Sequence, residues 1–97
     1  MISYPSYKLI IEKKAQKFLE KLGEPEYSKL VLKIRDLISV NPKPLDIKKL
    51  QGYKNLYRMK VDDYRVIFVT IPDKKLIIVA MIGHRKEVYD ILKHMHL

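Results

Sequence analysis

The stretch LYRMKVDDYRVIF, Leu56 to Phe68, reads as two short strands joined at Asp62-Asp63. Side chains along a strand alternate between the two faces of a sheet. Tyr57, Met59 and Val61 therefore share one face, and Arg58 and Lys60 share the other. With the two aspartates as a two-residue loop, Val61 pairs with Tyr64, Lys60 with Arg65, Met59 with Val66 and Tyr57 with Phe68. One register thus gathers the apolar partners on one side and Arg58, Lys60 and Arg65 on the other. Like charges directly across a strand pair cost roughly 0.2–1 kcal/mol. Folding alone gives no reason to collect them, whereas a bound anion such as a phosphate would relieve the repulsion.

Downstream, Leu76–Ile82 reads as a third strand, reached through Pro72–Lys75. Connections this short demand antiparallel pairing. A tight turn at Asp73-Lys74 places Ile67 opposite Ala80 and Arg65 opposite Ile82. The strand then exits into GHRKEVY, Gly83 to Tyr89, at the sheet end nearest Lys60 and Arg65, which brings His84, Arg85 and Tyr89 within reach of the same patch. Ile67, Val69, Ile71 and Ile78 continue the cationic face as an apolar one. Such a face needs cover, from the last helix or from a partner. From Lys86 the pattern is helical, with Val88, Tyr89, Leu92 and Met95 on its stripe.

Upstream, YKLII, Tyr7 to Ile11, reads as a strand. In EKKAQKFLEKL, Ala15, Phe18, Leu19 and Leu22 fall on one helical face. Gly23 and Pro25 stop that helix. A second helix runs from Glu26 to about Val40, with Tyr27, Leu30, Val31, Ile34, Leu37 and Ile38 buried. Asn41 to Asn55 reads as a connector, since Pro42 and Pro44 forbid regular helix and Gly52 allows a turn. The expected architecture is α+β. A two-helix hairpin packs on a mainly antiparallel four-stranded sheet, in the order β-α-α-β-β-β plus a short C-terminal helix, as a single domain over residues 1–97.

Lys+Arg number 20 against 11 Asp+Glu, a formal net charge of +9. That balance suits an acidic partner, whether nucleic acid, an anionic membrane surface or an acidic protein. With no Cys, disulfide scaffolds and Cys-ligated zinc are excluded. The start lacks the layout of a signal peptide and no apolar run reaches the roughly 18 residues of a membrane span, so an intracellular soluble protein is expected. His94 and His96 sit in a frayed tail at a spacing that does not suit one helical face, and no metal or cofactor is expected. Gly-rich phosphate loops, Ser-His-Asp sets and paired-carboxylate sites are all illegible. Asp62 and Asp63 read as turn residues.

Metal-free RNA cleavage needs a base for the 2′-hydroxyl, cationic donors for the phosphorane and an acid for the departing 5′-oxygen. Arg58 and Arg65 suit the second task, because guanidinium forks bind phosphate bidentately. Lys60, set among cations, is a candidate base. Arg85 suits the leaving group, and Tyr89 can stack on a base or orient the sugar hydroxyl. His84 is an accessory acid–base candidate or a turn histidine bonded to backbone. The segments KAQKFLEKL, NPKPLDIKKLQGYKNLYRMKVDDYRVIF and IIVAMIGHRKEVY resemble the RelE/ParE toxin superfamily, nearer its RelE branch. The resemblance implies a RelE-like fold and a ribosome-dependent, metal-independent endoribonuclease that cuts mRNA in the decoding site of the ribosome. It places the catalytic set at Arg58, Lys60, Arg65, Arg85 and Tyr89. It also implies a cognate RelB-like antitoxin, operator DNA met only through the toxin–antitoxin complex, no membrane partner and a cytoplasmic location. The alternatives are a ParE-like gyrase-inhibiting toxin, which would not need the cationic set, and a non-catalytic module that binds nucleic acid or antitoxin.

Overall fold

The computed structural model describes residues 3–94. Its elements are β1 (Lys8–Ile11), α1 (Lys13–Glu20), α2 (Glu26–Asp36), β2 (Asp46–Lys49), β3 (Leu56–Val61), β4 (Tyr64–Ile71), β5 (Leu76–His84) and α3 (Arg85–His94). The sheet has five strands in the order β1-β5-β4-β3-β2, so the α+β class holds with one strand more than expected. Only the β1–β5 pair is parallel.

The extra strand is β2, inside the segment read as a connector. It is four residues of DIKK at the edge of the sheet, too short and too charged to stand out. Its one signal is the alternation of Leu45 and Ile47, both of which pack on the core. A lysine ties this region to the helices, with Lys33 Nζ donating to the Pro44 carbonyl at 3.2 Å.

α2 ends four residues earlier than the apolar stripe suggests. Extending it to Val40 would need N–H donors from residues beyond, where Pro42 and Pro44 have none. Instead the Leu37 carbonyl accepts from Tyr4 N–H at 2.6 Å, and the chain tightens through i→i+3 bonds from Leu37, Ile38 and Ser39. Val40 is left exposed. Met95, read as part of the last helix, and His96 lie outside the described residues. His94 closes α3, its ring Nδ1 2.7 Å from the Asp90 carbonyl oxygen.

The β3–β4 register is the expected one, with Lys60 opposite Arg65, Met59 opposite Val66 and Tyr57 opposite Phe68. Met59, Val66 and Phe68 are fully buried against Ala15 and Leu19 of α1 and Leu30 and Ile34 of α2. Both helices therefore cover the apolar face. Tyr57 stacks on Phe68 with ring centroids 5.4 Å apart. Tyr4 joins this corner edge-on, and burial followed by the neighbouring Tyr57 and Tyr7 raises its phenol above the usual range.

The β4–β5 register departs from expectation. From Phe68 to Ile71 the pairs follow the tight-turn register, for instance Val69 with Ile78. A bulge then shifts it, so Ile67 faces Met81 rather than Ala80, and Arg65 faces Gly83 rather than Ile82. The shift restores Ile82 to the core face, where it is buried, and puts a residue without a side chain beside Arg65. α3 uses that space. A Cβ added at Gly83 would lie 3.0 Å from Val88 Cγ2. Val88 on α3 and Ile67 on the sheet face away from α1 and α2 are both 2% exposed yet stand outside the main core cluster.

Gly83→Val should therefore destabilise the fold by about 1–3 kcal/mol in urea unfolding, the usual cost of overpacking. Adding Val88→Ala should recover part of the loss by making room for the new side chain.

Candidate functional site

The shifted register builds one row across the sheet, Gly83–Arg65–Lys60–Asp46, and beside it Met81–Ile67–Arg58–Lys48. Residues directly opposite in a sheet share a face, so Arg58, Lys60, Arg65 and Lys48 all emerge on the side away from α1 and α2. α3 begins where β5 ends, and Arg85 N–H donates to the Asp63 carbonyl at 2.7 Å. The start of the helix is thus pinned to the β3–β4 turn.

A cleft of about 340 Å³ lies between α3 and this end of the sheet, lined by Arg58, Arg65, Arg85, Lys86, Val88, Tyr89 and Leu92. Four of the five residues implicated from sequence meet there: Arg58, Arg65, Arg85 and Tyr89. Lys60 is exposed on the same face, one step along β3 from the lining and directly opposite Arg65. His84 does not join them. It pairs with Tyr64 on the face that carries α1, with ring centroids 4.8 Å from Tyr64 and 6.3 Å from Phe18.

The side chains are held in different ways. Arg65 Nη1 donates to the carbonyls of Asp62 and Tyr64, both at 2.9 Å, which folds the guanidinium back over the turn. Arg58 Nη2 lies 3.8 Å from Asp46 Oδ1, a loose ion pair. Tyr89 is 67% exposed, unusual for an aromatic ring, with Lys93 Nζ 5.9 Å from its centroid. Partial burial and then the charges of Arg58 and Arg85 lower the Arg65 guanidinium below its ordinary range, while Asp46 and Asp63 pull it back. Arg65 thus feels the charges of both other arginines. Such a cluster suits a polyanion with oxygens pointing in several directions.

Three residues of the site are not singled out by the sequence. Lys86 reads from sequence only as the start of a helix, yet it lines the cleft. Asp46 and Lys48 sat in the connector. The alternation of Leu45 and Ile47 was the one signal that could have placed them on the cationic face.

The depressed Arg65 guanidinium has a stability consequence. A base whose pKa falls on folding is less willing to be charged in the native state, so the charged form destabilises the native state at every pH below the lowered value. Removing one neighbour should lift part of that penalty. Arg85→Gln, at an exposed position, should leave urea stability unchanged or raise it by up to about 1 kcal/mol, most visibly at low salt.

The chain has relatives whose names bear on this site. A family model described as the ParE toxin of the type II toxin–antitoxin system parDE matches residues 9–89. Toxin RelE3 of Methanocaldococcus jannaschii is 44% identical over 52 residues, which cover 54% of this chain and 57% of that protein. RelE1 of the same organism is 32% identical over 82 residues, covering 81% of this chain and 90% of its own length. Among solved structures, the archaeal RelE–RelB complex of Pyrococcus horikoshii superimposes with a TM-score of 0.67 at 31% identity, over 81% of this chain and 94% of that one. The chain belongs to the RelE/ParE family of toxins of type II toxin–antitoxin systems.

Proposed function

We propose that this toxin is a ribosome-dependent endoribonuclease that cleaves mRNA and so stops translation, using its own side chains without a metal ion. The observation that carries the reading is the convergence of Arg58, Arg65, Arg85 and Tyr89 on one cleft, with Lys60 at its margin. In this reading Arg58 and Arg65 grip the non-bridging oxygens of the scissile phosphate and hold the charge that grows as the 2′-oxygen attacks. Lys60 takes the proton from the 2′-hydroxyl. Arg85, at the mouth of the cleft on α3, stabilises or protonates the departing 5′-oxygen. The exposed Tyr89 ring stacks on a neighbouring base. Bond breaking leaves a 2′,3′-cyclic phosphate on one fragment and a 5′-hydroxyl on the other, with no water consumed. His84, turned to the other face, has no assigned step.

The partner in this reading is a RelB-like antitoxin, on the analogy of the archaeal complex. It would cover the cleft and the apolar remainder of the same sheet face, where Ile10 is 45% exposed. Operator DNA would be met only through that complex, in the cytoplasm. A second reading, a gyrase-inhibiting toxin, is favoured by the ParE description of the matching family model. It would act by protein contact and leave the arginine cluster without a role.

Cleavage-site mapping on a translated message tests the first reading. Arg65→Ala and Arg85→Ala should each lower the cleavage rate by about 10²–10³, the usual loss of one transition-state charge donor, and His84→Ala should lower it far less. Wild-type activity in Arg85→Ala would overturn the assignment. Inhibition of DNA supercoiling without message cleavage would favour the second reading.

A further inference from the structure

Asp46 is the only acidic residue in any of the five strands, among the described residues. Its position is set by its neighbours. Leu45 and Ile47 pack on the core, so alternation turns Asp46 to the opposite face. There it stands directly across from Lys60, which itself faces Arg65. Its Oδ1 lies 3.8 Å from Arg58 Nη2. One carboxylate therefore faces Arg58, Lys60 and, across the row, Arg65, and it is one of two acids whose field acts on Arg65.

We propose that Asp46 is a built-in counter-anion of the cationic cleft: it steadies Arg58 and its neighbours until a phosphate group takes over that electrostatic role. This rests on reading the cleft as a phosphate site. The separation of 3.8 Å is beyond hydrogen-bond length, so the pair is Coulombic and not a locked fork. The Asp46 side chain is 60% exposed and the Arg58 side chain 22%, so water screens the contact and releasing it costs little. A phosphate presents oxygens that arginine forks grip bidentately, and it carries more charge than one carboxylate. A single acid also cannot neutralise three cations, which leaves a positive remainder to draw the ligand in. Asp46 acts here as a positioning residue, with no contact to reacting atoms.

The test uses the whole chain and pyrophosphate at low ionic strength. Asp46→Asn keeps the shape and the strand while removing the charge. It should bind pyrophosphate about three- to fivefold more tightly than wild type by titration calorimetry, the fold-change equivalent of a partly exposed ion pair. It should also melt below wild type in buffered chloride, and the gap should close at saturating pyrophosphate. Asp46→Glu, which keeps the charge, should bind as wild type does. Equal or weaker binding by Asp46→Asn would overturn the proposal. So would a melting gap that pyrophosphate does not close, because that is the signature of a strand residue alone. Absence of pyrophosphate binding by wild type would overturn it too. Neither readout involves strand cleavage, so its outcome and that of the message-cleavage assay are independent.

Discussion

The Asp62-Asp63 turn governs both faces of the sheet. Asp62 takes φ 52°, the left-handed region that an aspartate tolerates better than most side chains, and so closes a loop of two residues with no slack. The register that follows buries Met59, Val66 and Phe68 completely. Slipping one strand by one residue would turn that strand over, exposing Met59 and burying Arg58 and Lys60 if β3 moves, or exposing Val66 and Phe68 and burying Arg65 if β4 moves. Burying each such apolar side chain is worth roughly 1.5–3 kcal/mol, while the cation–cation contact across the strands costs roughly 1 kcal/mol or less. The core wins easily, and the cationic patch is held in place by hydrophobic energy that it does not itself supply.

The same turn organises what lies above the patch. Its carbonyls accept from Arg65 Nη1 through Asp62 and from the Arg85 N–H through Asp63, and the Asp62 carboxylate pairs with Lys29 of α2. Strand register, guanidinium orientation and the start of α3 thus share one anchor. Gly83 completes the arrangement by letting Val88 approach the sheet. The cleft is consequently tied to the hairpin that carries it, which matters for any chemistry in which charge must be met by donors already in position.

Much of this was legible in the sequence, for identifiable reasons. The hairpin could be read because two independent patterns, apolar and cationic, agree on one register. The α1 and α2 faces could be read because Ala15 and Leu19 on one, and Leu30 and Ile34 on the other, fall at helical spacing. What escaped depended on long-range context. β2 has no propensity of its own and exists because β3 offers it an edge. The bulge at Ala80 cannot be seen locally, since either register pairs apolar residues along most of β4 and β5. It is decided at the far end, where Ile82 must reach the core and Arg65 needs a neighbour without a side chain. His84 was misplaced by proximity in sequence to Arg85, although the residue just before the helix still obeys strand alternation and turns to the other face beside Tyr64.

Electrostatics also bears on how a shared scaffold can serve different chemistries. The helices and the core take nothing from the charges of Arg58, Arg65 and Arg85, although Arg65 also donates to the carbonyls of the turn. Any hydrophilic residues would keep that end of the sheet solvated, and neutral ones would avoid the repulsion that lowers the Arg65 guanidinium. A toxin acting through protein contact alone could dispense with the cluster and gain stability. Here the cluster is kept, backed by a single acid on the edge strand that offsets part of the repulsion without quenching it. That is the balance expected of a site whose charge must be tolerable in the free protein and still available to a phosphodiester. The physical case for an anionic ligand at this cleft therefore rests less on the number of arginines than on the unfavourable energy of placing them side by side.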